Sequence, residues 1–223
     1  MKPVKLILEI VIPKYLYLYL IFAAKQVRMR ISEIENHLSK FRVGIAGAGG
    51  LGSNCAAALT RCGIGTLVIS DFDIVDSTNL SRQFYFINQV GMDKTSALKE
   101  NLTHINPEIN IIARQVELNE TNIPVIYAGC DVIVEAFDRA DMKEMLIKTV
   151  QKSMPGIPLI VGSGLAGWGN TNKIRSRKID DTLYVCGDEL SEISEELPPM
   201  APRVGIVAYM QADVVVEILM KNN

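Results

Sequence analysis

Gly47, Gly49 and Gly52 form the pattern G-x-G-x-x-G directly after the short apolar run Arg42–Ala46, and Asp71 ends the next apolar run nineteen residues beyond the last glycine. Each of these residue types answers a physical need. The first glycine permits a tight turn, the second lets the backbone approach a phosphate or sugar, and the third lets a following helix lie against the strand. The start of that helix offers unpaired N–H groups and a positive partial charge. A carboxylate at the end of the second strand accepts hydrogen bonds from ribose hydroxyls. Together these features call for a nucleotide with a ribose.

Further polar residues narrow the chemistry. Asn79, Arg82 and Gln83 lie in a polar segment after Asp71, Lys94 opens the next helical stretch, and Asp138 ends the apolar run that starts near residue 131. In an open α/β sheet, ligands bind at the carboxyl ends of the strands near the switch point. Two carboxylates, two cations and two amides therefore converge on one crevice. A dinucleotide enzyme needs the first acid but has no obvious use for a second acid with an arginine and a lysine. A nucleoside triphosphate does. Arg82 offers a planar fork, Lys94 a point charge, and Asp138 a hard oxygen ligand for magnesium.

The elements that must position these groups follow from periodicity. Residues 31–40 read as a short amphipathic helix, 42–46 as a strand, 51–62 as a helix and 67–70 as a second, fully apolar strand. Residues 71–91 form a long polar segment without clear periodicity, more often functional than idle in a compact domain. Helices are expected over 94–105, 123–128 and 140–152, with strands over 109–114, 131–137 and 158–162. This alternation predicts an α/β, doubly wound, mostly parallel Rossmann-like sheet with helices on both faces. Two strand-like runs, 173–179 and 182–186, joined by Asp180–Asp181, form a hairpin expected to add antiparallel strands on the C-terminal side. A terminal helix over 204–220 is apolar nearly all round and should be largely buried.

The bulk numbers bound the possibilities. The 223 residues suffice for one domain with a real core. Residues 1–28 carry a net charge of +4 and the remainder −6, which argues against a nucleic-acid partner. Four cysteines, at 55, 62, 130 and 186, include no C-x-x-C pair, so no structural zinc is expected, and a reducing cytoplasm is the default location. Cys55, Cys62 and Cys130 read as packing residues. Cys186 reads as a small buried residue at a strand end in preference to an acyl or persulfide acceptor. His37 and His104 fall on helices away from the crevice, and Asp73 reads as structural. The apolar, basic stretch 1–28 has a clean apolar run of only ten residues, 15–24, about half of a membrane span, so no membrane role is expected. A poor anchor, an extra packed element and translated upstream sequence ahead of Met29 are its three readings. The last is the expectation, because the domain signal begins just after Met29, leaving 29–223 as a single domain.

Gly47-Ala-Gly-Gly-Leu-Gly52, Asp71-Phe-Asp-Ile-Val75, Asn79-Leu-Ser-Arg-Gln83, Lys94, Asn106-Pro107 and Asp138 occur in order, and over residues 41–164 the chain resembles the ubiquitin-activating superfamily. It is most similar to the bacterial ThiF/MoeB/HesA-type adenylyltransferases. The tail motifs Tyr184-Val-Cys-Gly-Asp188 and Met200-Ala-Pro-Arg-Val-Gly205 resemble a short, zinc-free ThiF branch linked to thiamine biosynthesis. The resemblance implies ATP-dependent adenylylation of the C-terminal glycine of a ubiquitin-like sulfur carrier, by a homodimer. Gly50 and its neighbours would line the nucleotide, Asp71 would hold the ribose, Asn79, Arg82 and Lys94 would contact phosphates, and Asp138 would hold magnesium. The chain departs from the family in lacking two C-x-x-C zinc pairs and in having Arg139 where an asparagine is common. Its carrier-docking region is also shorter, and the source of a trans-acting arginine is not evident. Two rivals remain open at this point: a nicotinamide-dependent oxidoreductase, for which Arg82, Lys94 and Asp138 would be dispensable, and a silent nucleotide-binding module. A relative that adenylates a tRNA base is disfavoured by the −6 body.

Overall fold

The computed structural model describes residues 30–221. The expectation for residues 1–28 lies outside the described residues. Contacts group the chain into Met1–Ile34 and Glu35–Asn223, and the site lies wholly in the second unit.

The elements in chain order are α1 (Ile31–Leu38), β1 (Arg42–Ala46), α2 (Gly50–Arg61), β2 (Thr66–Asp71), α3 (Lys94–Ile105), β3 (Asn110–Gln115), α4 (Ile123–Ile126), β4 (Val132–Glu135), α5 (Ala140–Ser153), β5 (Leu159–Gly162), β6 (Arg175–Lys178), β7 (Leu183–Gly187) and α6 (Ala201–Lys221). Seven strands form one sheet in the order β3-β2-β1-β4-β5-β7-β6. The connection reverses direction between β1 and β4, which creates the crevice where such sheets bind ligands. The hairpin forms where Asp180–Asp181 placed it, but its strands differ in sense. β7 runs parallel to β5, and only β6 is antiparallel, pairing with β7. The long excursion between β5 and β7 brings the chain back to the same end of the sheet.

The central strands are buried on both faces, as their uninterrupted apolar character requires. Register puts Val68, Ile133 and Leu159 on one face, where they pack with Ile123, Tyr127, Leu146 and Val150 from α4, its flank and α5. Gly44 lies under Tyr127, and a Cβ there would sit 2.6 Å from the ring. α2 packs against α6 and α3. α6 is amphipathic rather than apolar all round. Val204, Val207, Ala208, Gln211, Val215 and Leu219 are buried, whereas Ile206, Tyr209 and Asp213 face outward.

Past Asp71, which ends β2, the polar segment 71–91 has no strand or α-helix but is ordered by hydrogen bonds. Two 3-10 turns, Ser77–Ser81 and Ile87–Gln89, are closed by Val75 N–H donating to Met92 O (2.8 Å) and Gly91 N–H to Val75 O (2.9 Å). Local capping, rather than hydrophobic periodicity, holds this segment against the sheet end.

Candidate functional site

A cleft of about 1010 Å³ opens at the carboxyl ends of β1, β2, β4 and β5. Its lining includes Gly47, Gly49, Gly50, Asp71, Arg82, Gln83, Lys94 and Asp138. Eight of the ten residues singled out from the sequence are therefore brought together, although they are spread from position 47 to position 138. Gly52 and Asn79 are not among the lining residues.

The glycine loop behaves as its spacing demands. Gly47 takes φ 102°, and its N–H donates to Ser70 O at 2.8 Å, tying the loop to β2. Gly52 serves the packing of α2 rather than the ligand: a Cβ there would lie 1.9 Å from Gly47 O. The N-cap of α2, Gly49, offers no side-chain cap, so the helix presents its first N–H groups to the cleft. Three residues not singled out from the sequence shape this loop. The Ser53 hydroxyl donates to Gly49 O (2.7 Å) and accepts from Phe84 N–H (2.9 Å). Asn54 Nδ2 donates to Gly50 O (2.7 Å) and Arg82 O (3.0 Å), fastening Arg82 beside the glycines. The buried Tyr85 hydroxyl donates to Ala48 O at 2.7 Å. Two of them are adjacent polar residues on α2 and the third lies in the irregular segment, so no spacing marked them before the loop lay against them.

Asp71 is held ready. Its Oδ2 accepts from Ala48 N–H at 2.6 Å and its Oδ1 from Asp73 N–H at 2.8 Å. Burial pushes its carboxyl above the usual range, opposed by these two bonds and by Lys94. Each oxygen keeps lone-pair capacity for a ribose hydroxyl.

Lys94 is the first residue of α3, and its side chain is only 8% exposed. Its Nζ pairs with Asp73 Oδ2 at 2.7 Å, so Asp73, expected to be structural, both lines the cleft and holds the lysine. Arg82 reaches Thr78 O and Ser81 Oγ at 3.2 Å each, at the rim. Gln83 Oε1 is buried with no partner among the described residues, so an amide oxygen in the cleft awaits a donor. Asn79 serves the turn with its side-chain oxygen. Its Oδ1 accepts from Asp76 N–H at 3.0 Å and closes the capping box of the first 3-10 turn. The order Asp-x-x-Asn carried that capping signal.

Asp138 stands exposed just past β4, and its carboxylate has no hydrogen bond or ion pair among the described residues. No group of three or more metal-ligating side chains occurs among the described residues. Magnesium needs no such cage. It is commonly held by one or two carboxylates with waters and substrate phosphates, so a single unpartnered carboxylate in a cleft of this size fits the ion. Arg139 lines the cleft but is engaged by Asp141, to which its Nε donates at 3.1 Å. A third cation, Lys143, also lines the cleft. It pairs with fully buried Glu135 and donates to Gly162 O at 2.9 Å. Burial pushes the Glu135 carboxyl up, against the pull of Lys143. The residues between Asp138 and Lys143 gave no hint of this, because the partner ends β4, a different element.

Cys186 is fully buried in β7, and burial pushes its thiol up to about 12, with Asp213 adding to the effect. That is a packing residue rather than a nucleophile. His37, on α1, contacts Leu219 O, and His104 lies in the last turn of α3; neither lines the cleft.

Compared with known proteins, the chain matches the ThiF family model over residues 24–223. It belongs to the ThiF family. The adenylyltransferase and sulfurtransferase UBA4 of Candida glabrata is 32% identical over 190 residues, 82% of this chain and 43% of that protein. The ubiquitin-like modifier-activating enzyme 5 of Caenorhabditis elegans is 40% identical over 96 residues, 43% of this chain and 22% of that protein. The matched region thus spans less than half the length of either. Among solved structures, Escherichia coli tRNA N6-threonylcarbamoyladenosine dehydratase TcdA, in complex with ATP, superposes with a TM-score of 0.77 at 19% identity, covering 85% of this chain and 90% of that one. Escherichia coli MccB with ATP gives 0.64 at 25% identity, covering 85% and 58%. The ThiF-family fold is thereby established from both sequence and structure. Among the described residues, no helix is long and apolar enough to cross a membrane.

Proposed function

We propose that this ThiF-family chain is an ATP-dependent adenylyltransferase that activates the C-terminal glycine of a ubiquitin-like sulfur carrier, in the formation of the thiazole of thiamine. The observation that carries the reading is the joint presence, in one cleft, of the glycine loop, Asp71, Lys94 and the unpartnered Asp138. The first two suit a ribonucleotide. The last two have no use in hydride transfer but suit a triphosphate. The carrier identity and the pathway rest on the tail motifs around Asp188 and Arg203. Homodimerisation is part of the same proposal, by analogy with the family.

The chemistry asks little of the protein beyond placement and charge. The carrier's terminal carboxylate, with a free pKa of about 3.5, is ionised at neutral pH and needs no general base. One of its oxygens attacks the α-phosphorus. The bond from that phosphorus to the bridging oxygen breaks, and pyrophosphate leaves with the electron pair. Asp71 fixes the ribose, which sets the position of the α-phosphate. The N–H groups at the start of α2 and the cations of Arg82 and Lys94 face the charge that develops on the phosphates. Asp138 would hold magnesium, which when bound would neutralise phosphate charge. Each such electrostatic contact can be worth about 3 kcal/mol in the transition state.

ATP–pyrophosphate exchange tests the reading. Exchange that requires a purified ubiquitin-fold carrier ending in Gly-Gly, and that is lost in Asp138→Ala, is expected. Nucleotide binding with no exchange for any such carrier would mean a silent module, and tight NAD binding without exchange an oxidoreductase.

A further inference from the structure

The cleft has two halves. One is built by the loops after β1, β2, β3 and β4. The other is built by Gly162, Ser163, Gly164 and Leu165 after β5, by Ser191, Glu192 and Ile193 after β7, and by Pro199 and Val204 at the start of α6. Three separate segments make that second wall, and one buried side chain on α6 bonds to the stretches that follow β5 and β7.

Arg203 is the third residue of α6 and is almost wholly buried. Its Nη1 donates to Gly169 O (2.6 Å), and its Nη2 donates to Asp188 Oδ2 (2.6 Å) and Ser191 Oγ (3.2 Å). Asp188 extends the tie. Its Oδ1 accepts from Leu190 N–H, Ser191 N–H and the Ser191 hydroxyl, and its own N–H donates to Gly164 O at 3.0 Å. Gly164 has room only for hydrogen, since a Cβ there would lie 2.1 Å from Asp188 Oδ1. Neither Arg203 nor Asp188 lines the cleft, so both act from behind the wall.

This arrangement runs against local preference. A cation in the first turn of a helix opposes the helix dipole. Arg203 Nε is buried without a partner among the described residues. A buried ion pair is often no more stabilising than a well-packed apolar side chain of similar volume. An apolar residue would fill the space, but it would not fix the directions of the two acceptor-bearing loops that follow β5 and β7.

We infer that Arg203 is a positioning residue for the second substrate: through Asp188, Ser191 and Gly169 it sets the wall that receives the carboxylate-bearing tail, without a part in nucleotide binding. This rests on the proposed adenylylation, in which that half of the cleft takes the tail. Ser191, whose hydroxyl and N–H are both held by Asp188, is the point where the tie meets the lining.

The test compares wild type with Arg203→Lys and with the double variant Arg203→Met/Asp188→Asn, which removes both charges and leaves none buried alone. The probe is a purified ThiS-like carrier ending in Gly-Gly. ATP affinity is measured separately by calorimetry without carrier. The double variant is expected to raise KM for the carrier about tenfold or more, the equivalent of one charge-assisted hydrogen bond. Its kcat at saturating carrier and its ATP affinity should stay near wild type. Arg203→Lys keeps the charge but cannot span all three acceptors, and should give a smaller rise in KM with the same ATP affinity. Unchanged KM in both variants would overturn the assignment, as would ATP affinity falling in parallel with KM, since that marks a general loss of structure. If the double variant does not fold, the lysine variant decides by the same criteria. A wild-type protein that shows no carrier-dependent exchange overturns the proposed function itself, and this inference with it; an active wild type with indifferent variants overturns the inference alone.

Discussion

Replacing Asp71 by alanine separates what this carboxylate does for the fold from what it does for the nucleotide. Its two oxygens accept from Ala48 N–H and Asp73 N–H. The two donors differ in what happens once the acceptor is gone. Ala48 is fully buried, so its N–H cannot turn to water, whereas Asp73 is exposed and its N–H can. The structural cost is therefore one orphaned buried donor, about 1–3 kcal/mol. For a domain of this size that lowers Tm by about 2–12 °C. Loss of charge-assisted bonds to the ribose should weaken ATP binding about 10- to 100-fold. Asp71→Asn keeps one carbonyl acceptor but turns an amide N–H₂ towards one of the two donors, so it should fall between wild type and Asp71→Ala in both measurements. Burial raises the Asp71 pKa, so protonation as pH falls should remove the carboxylate, and with it ATP affinity, above the ordinary aspartate range. Calorimetric unfolding and ATP titration across acidic pH make the check. An Asp71→Ala protein with wild-type Tm and wild-type ATP affinity would refute the reasoning.

Other outcomes follow from the same contacts. Lys94→Ala should lower exchange about 10²- to 10³-fold, as removal of one preorganised charge does elsewhere, while steady-state assays of Asp73→Asn, which frees Lys94 for phosphate, should show a far smaller loss. Gly52→Ala forces a Cβ to within 1.9 Å of Gly47 O and should give little folded protein by urea titration; Gly205→Ala on α6 meets nothing within 4 Å and should raise stability by about 0.5–1 kcal/mol. Burial alone would raise Asp188, but bonds from Ser191, Leu190 and Arg203 outweigh it and hold the carboxyl down at about 2. Its contribution, up to about 2 kcal/mol, is thus present above the ordinary aspartate pKa and lost as pH falls through the folded value. Unfolding free energies of wild type and Asp188→Asn should therefore converge in strong acid.

The chain order of apolar runs and glycines determined the doubly wound sheet, the position of the crevice and the glycine-loop half of the cleft. Those signals are local: a strand buried on both faces must be apolar throughout, and a glycine that another backbone crosses admits no Cβ. Gly47, Gly49, Gly50, Asp71, Lys94 and Asp138 could be named for that reason, since each stands at a strand end or helix start that periodicity locates. What only the tertiary structure decided depends on partners distant in sequence. The Asn79 side-chain oxygen accepts from Asp76 N–H, and Asp73 spends its carboxylate on Lys94. Lys143 enters the cleft because Glu135 is buried beneath it. Arg203, an ordinary cation near a helix start when read in sequence, becomes the junction of α6 with two loops once β7 has paired with β5 and brought Asp188 and Ser191 within reach. Hydrogen-bond acceptors of that kind carry no periodicity, so their assignment had to wait for the fold.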